Sequence, residues 1–90
     1  MSSTRYAASL GHHAVELEFD RDLVVLNRVR LFVDGTEVAN GSIVYGQQEL
    51  TATAVDGATI HVTVGSGMVG EPQRPQLQQP DGSWQDMAAV

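Results

Sequence analysis

Apolar and polar residues alternate with period two along much of the chain. Gly-, Asp- and Asn-bearing turns interrupt the alternation every ~8–12 residues, which is the signature of an all-β chain. In Ala14 to Phe19, Val15, Leu17 and Phe19 face one way and Glu16 and Glu18 the other. Asp20-Arg21-Asp22 reads as a polar turn, and a second strand is expected from about Leu23 to Val33. Further strands are expected over Thr36 to Ala39, Ser42 to Tyr45, Gln48 to Ala54, Ala58 to Val64, Gln76 to Gln78 and Ser83 to Met87. The pattern predicts a small antiparallel meander of about six or seven strands, closing into a barrel or a two-sheet sandwich. Ser2 to Gly11 is expected to be a flexible N-terminal segment ahead of a single β domain over 12–90.

Turn chemistry fixes the expected registers. A two-residue type I′ loop at Asp34-Gly35 places Val33 opposite Thr36, Phe32 opposite Glu37 and Leu31 opposite Val38. The same loop at Asn40-Gly41 places Val38 opposite Ile43 and Glu37 opposite Val44, giving one apolar face of Leu31, Val33, Val38, Ile43 and Tyr45. A two-residue loop at Asp56-Gly57 would put Ile60, Val62 and Val64 on the polar face of Thr51 and Thr53, because a one-residue shift flips every side chain. A three-residue loop, Val55-Asp56-Gly57 with Gly57 left-handed, instead gathers Leu50, Ala52, Ala54, Ala58, Ile60, Val62 and Val64 on one face.

The second face of the central strand carries Val24, Leu26 and Phe32, with Val44 two positions across from Phe32 through Glu37. A strand apolar on both faces is covered on both. The expected cover is the C-terminal segment with Leu77 and Trp84, the N-terminal Tyr6 to Leu10, or a second protein chain. Val24, Leu26, Phe32, Val44 and Trp84 are therefore the candidate partner-binding residues, for another protein or a second copy. The alternative surface is the Thr-rich strand face of Thr51, Thr53, Thr59, His61 and Thr63, read as a small-ligand or metal-binding face of an accessory domain. His13 is expected near Val29 at the edge of the core, and adjacent His12 and His13 point opposite ways if extended, so the two do not readily join one metal site.

Composition removes most other chemistry. Ninety residues suffice for one domain with a thin core. The absence of Cys excludes disulfides, thiolate metal sites and a Cys nucleophile. Five Arg, no Lys and eleven carboxylates leave a net charge of −6, which disfavours duplex nucleic acid and anionic membranes as partners. The longest apolar runs span four residues, Leu23 to Leu26 and Met87 to Val90, far short of a membrane helix. The start has one positive charge and no apolar segment, so a cytoplasmic location is expected. Arg without Lys, with abundant Ala, Val and Gly, matches a GC-rich bacterial composition.

Gly65-Ser66-Gly67-Met68-Val69-Gly70 matches the dinucleotide fingerprint, but Glu71-Pro72-Gln73-Arg74-Pro75 stands where a helix is required. Glu16 and Glu18 read as an exposed strand face rather than a glycosidase pair, and Arg28 is placed within diagonal reach of Glu16. No Ser-His-Asp geometry is fixed by the sequence. The expectation is thus a non-enzymatic, protein-binding β-domain without cofactor or metal, a soluble module of a larger or membrane-associated protein.

Overall fold

The computed structural model describes residues 2–21, 27–43, 46–53, 57–66 and 72–90. These residues form two antiparallel sheets and no helix. The first five strands are β1 (Ser2–Leu10), β2 (His13–Arg21), β3 (Asn27–Val33), β4 (Thr36–Ile43) and β5 (Gly46–Thr53). The others are β6 (Thr59–Ser66), β7 (Pro72–Gln78), β8 (Trp84–Asp86) and β9 (Ala88–Ala89). One sheet has the order β4-β3-β2-β1-β9 and the other β5-β6-β7-β8; neither closes on itself among the described residues.

The inward faces obey the alternation. Val15, Leu17 and Phe19 of β2, and Val29, Leu31 and Val33 of β3, are buried. Leu50, Ile60, Val62, Val64 and Leu77 oppose them from the second sheet, and all belong to one hydrophobic cluster. Met87, between β8 and β9, is fully buried where the chain passes from the second sheet back to the first. The two layers therefore share one core, as a two-sheet arrangement of amphipathic strands must.

Two expected registers hold. Val33 pairs with Thr36, and Asp34 and Gly35 both take positive φ, 53° and 86°, as a type I′ turn demands. Thr53 pairs with Thr59 and Ala52 with Ile60, the register that a three-residue loop at 55–57 produces. Gly57 has φ 91°, while Ala54, Val55 and Asp56 lie outside the described residues.

Four expectations are corrected. First, Ser2 to Gly11 is not a loose segment: β1 lies between β2 and β9, and Tyr6 and Leu10 are buried in the core. Thr4, Tyr6, Ala8 and Leu10 supply a weak period-two face that small and polar residues disguise. Second, β2 runs through Asp20 and Arg21 instead of turning there. Phe19, not His13, stands opposite Val29. The slip is even-numbered, so every side chain keeps its expected face. Third, Asn40-Gly41 is no turn; β4 continues to Ile43, with Gly41 opposite Val29. Fourth, Leu31 pairs with Ala39 because Val38 is an extra residue in β4, bulged outward and 37% exposed. Val38 therefore leaves the expected apolar face and Ala39 takes its inward place, while Tyr45 lies outside the described residues.

A second bulge sets β7. Gly65 pairs with Gln73 and Thr63 with Gln76, so Arg74 and Pro75 together oppose Val64. A bulge is where a strand tolerates a proline, which has no N–H for the ladder. Pro75 is buried and its carbonyl accepts the N–H of Met87 at 2.9 Å.

Candidate ligand pocket

Three turns meet at one end of the two sheets. The first joins β1 to β2: Leu10 pairs with His13, leaving Gly11-His12 as a two-residue loop with positive φ only at Gly11 (59°). That is the type II′ pattern, with glycine at the first central position. The loop stacks its imidazoles: the His12 and His13 ring centroids are 4.2 Å apart, tilted by 35°. The condition under which these neighbours would point opposite ways, an extended backbone, does not apply, because a turn carries His12.

The second turn is Asp34-Gly35. Asp34 Oδ2 lies 2.8 Å from His13 Nδ1, and Oδ1 accepts the Ala14 N–H at 2.9 Å. The Asp34 N–H in turn donates to the Ala14 carbonyl at 2.8 Å. These contacts to the His13 ring and the Ala14 amide hold the Asp34 carboxyl below its ordinary pKa. The ionised carboxylate only accepts, so His13 donates from Nδ1.

The third turn joins β7 to β8. Asp81 accepts from the Ser83 hydroxyl at 2.6 Å and from the Ser83 amide at 2.9 Å, which lowers its pKa and braces the turn. Gln79 Nε2 reaches across to the Ser9 carbonyl of the other sheet at 3.2 Å and to Gln85 Oε1 at 2.7 Å.

Between the first and third of these turns and the start of β6 opens a pocket of about 510 Å³, with Asp34 behind His13. The first sheet contributes Leu10, Gly11, His12 and His13. From the second come Ala58, Thr59 and His61 at the start of β6, and Gln78, Gln79, Pro80 and Gly82 around the third turn. All three histidines of the chain thus line one pocket. No carboxylate, Arg, Ser or Cys is among the described lining residues; the polar groups are imidazoles, two amides and one hydroxyl on an otherwise apolar wall. The volume and the mixture fit the usual small-molecule site. Among the described residues no group of three or more His, Asp or Glu is placed to hold a metal ion.

The Thr-rich face lies where the register put it. His61 pairs with Thr51, whose hydroxyl is 3.3 Å from Nδ1, and Glu49 Oε1 is 4.0 Å from the same atom. Thr53 and Thr59 pair beside them, and Thr63 succeeds His61 on the same face. Of these residues only Thr59 and His61 reach the pocket.

Of the partner-binding candidates, Phe32 and Trp84 are among the described residues, and they lie on different sheets. Val24, Leu26 and Val44 lie outside the described residues. Phe32 is half-buried on the outer face of the first sheet, with the Arg5 guanidinium 5.1 Å above its ring. Around it runs an ion-pair ladder: Arg5 to Glu16 (3.7 Å) and Glu18 (3.1 Å), and Arg30 to Glu18 (3.5 Å) and Asp20 (3.7 Å). The hydrogen bond to Glu18 pushes the Arg5 pKa up. Glu16 is thus served by Arg5 of β1; Arg28 stands opposite Asp20. Trp84 sits on β8, at the edge of the other sheet, 39% exposed. Gly67 to Gly70 of the glycine-rich motif also lie outside the described residues, and the next element after them is the strand β7, not a helix.

Sequence reasoning missed His12, His13, Gln78 and Gln79 as pocket residues. The available signal was Leu10-Gly11-His12-His13 as a two-residue hairpin loop, which would have made β1 a strand. No family model, curated protein or solved structure matches the chain.

Proposed function

We propose that this chain is a non-enzymatic β-domain whose function is to bind a small, uncharged or weakly polar molecule in the three-histidine pocket. The observation that carries the reading is convergence: imidazoles from both sheets open on one cavity of about 510 Å³. Its apolar wall supplies affinity, and its imidazole and amide groups supply orientation. Among the described lining residues no Ser, Cys or carboxylate accompanies the imidazoles, which supports binding over catalysis. The outer face of the first sheet carries less weight as a docking surface, because Arg5 and Arg30 already engage its carboxylates and Arg5 covers the Phe32 ring.

Thermal-shift measurements on a library of small neutral molecules test this, run in parallel on the wild type and on Thr59→Phe, which fills the pocket mouth from an exposed strand position. A ligand at 100 times its Kd stabilises by about 2.7 kcal/mol, enough to raise Tm by roughly 11–22 °C in a chain of this size. Hits that stabilise the wild type and not Thr59→Phe support the reading. Hits that stabilise both equally, or no hits at all, overturn it.

A further inference from the structure

We infer that the ligand is a neutral polyhydroxylated molecule, a short oligosaccharide that starts in the pocket and runs outward onto Trp84; this rests on the proposed pocket function. The pocket does not end at its rim. Gln78, in its wall, pairs with Trp84 on the edge strand, and Gly82, also in the wall, precedes Trp84 by two residues. One step beyond the Val62–Leu77 pair, His61 stands across from Gln78, and His61 pairs with Thr51 on its other side. Thr51, His61, Gln78 and Trp84 therefore form one row across all four strands of the second sheet, on its outer face.

The chemistry of that row selects the ligand. Trp84 offers an indole, 39% exposed, in continuity with the cavity. An indole combines a broad apolar face with a polar edge, which suits a ring that is apolar on its C–H faces and hydroxylated around its rim. The neighbours of Trp84 on β7 are the amides Gln76 and Gln78, with Asp86 two residues along its own strand and Gln79 in the adjoining turn. Gln76 bonds Asp86 at 2.9 Å, Gln78 bonds the Gly82 carbonyl at 3.3 Å, and Gln79 bonds Gln85 at 2.7 Å. Each amide carries a donor and an acceptor side by side, as neighbouring hydroxyls do. The net charge of −6 repels anionic ligands, and the described pocket wall offers no carboxylate to hold a cationic one. A neutral ligand with many hydroxyls meets each of these conditions.

Trp84 is the only tryptophan, so its emission reports this position alone. The full chain is titrated with cellohexaose, xylohexaose, maltohexaose and chitohexaose, with tryptophan fluorescence and the His61 ring signals by NMR as readouts. The expected result is a saturable emission change and a concerted His61 shift with at least one of the four. Trp84→Ala is expected to weaken that binding about tenfold or more, the loss of an aromatic anchor, while the variant still melts in one cooperative transition. Absence of a saturable response up to about 10 mM, well past the millimolar range of weak specific binding, overturns the inference. Binding that Trp84→Ala leaves intact overturns it as well. If neutral fragments still stabilise the wild type and not Thr59→Phe while all four sugars fail, the oligosaccharide falls and the pocket stands.

Discussion

Tyr6→Ala separates the two readings that the first ten residues allow. In a loose terminal segment the substitution is almost silent. In β1 it empties the space between Leu17 of β2 and Ala89 of β9, the residues that pair with Tyr6 on either side. Tyr6 is 8% exposed. A tyrosine buries about 150–250 Å², so at ~25 cal/mol/Å² the complete side chain accounts for at most roughly 4–6 kcal/mol. Alanine retains part of that area, and large-aromatic truncations in cores cost about 3–5 kcal/mol, so the expected loss is about 3 kcal/mol. A chain of this size has roughly 5–13 kcal/mol of total stability, so the variant stays folded. Its Tm should fall by about 12–24 °C. With an m-value near 1 kcal/mol/M, its urea midpoint should fall by about 2–3 M. Circular dichroism through both transitions measures this. Ser9→Ala, exposed on the same strand and keeping the backbone carbonyl that Gln79 bonds, is the control and should stay within about 0.5 kcal/mol of the wild type. A Tyr6→Ala loss no larger than that of the control would refute the placement of β1 within the sheet.

Asp34 gives a pH prediction. Its folded pKa lies below its unfolded value, so its contribution is fully present above about pH 5 and is lost as pH falls through the folded value, below about pH 4. Urea titrations at pH 6 and pH 3 should show a smaller stability drop for Asp34→Asn than for the wild type; equal drops would remove the carboxylate from the account. Gly35→Ala should cost about 1–2 kcal/mol by urea denaturation, because φ is 86° and no described atom lies within 4 Å of the added methyl. Gly41→Ala, where the added Cβ meets the movable end of Gln48 at 3.1 Å and Leu50 Cδ2 at an ordinary contact of 3.6 Å, should stay within about 0.5 kcal/mol. Deleting Val38 should leave the chain folded and within about 1 kcal/mol of the wild type, since Ala39 then faces Leu31 in a regular ladder; an unfolded product would show that the bulge is required.

Much of the fold was legible because the strands are amphipathic. Val15, Leu17 and Phe19 alternate with carboxylates, and no other element type accommodates that pattern beside Asp-Gly turns. The register of β5 against β6 came from one requirement, that Ile60 and Val62 share a face with Leu50 and Ala52. Other parts were hidden for physical reasons. Asn40-Gly41 carries the strongest short hairpin signal in the sequence, yet continuous pairing of β4 with β3 overrides it. Tyr6 and Leu10 are separated by Ala7, Ala8 and Ser9, which fit a strand, a loop or a terminus equally well. The pocket was the least legible feature. Thr51 opposite His61 came from local register, but the meeting of His61 with His12 and His13 depends on how the ends of two sheets stack, which no periodicity encodes. The contact of Arg5 with the Phe32 ring was hidden as well, because Arg5 belongs to a strand that the pattern did not reveal.

The most direct test of the pocket is ligand binding monitored on the imidazole ring signals of His12, His13 and His61 by NMR, with the Arg30 side chain as a reference on the opposite face. A small neutral molecule that binds should shift all three histidines together and leave Arg30 unmoved. Shifts centred on Arg30 and Phe32, or confined to His61 alone, would contradict the convergence of the three histidines on one binding site.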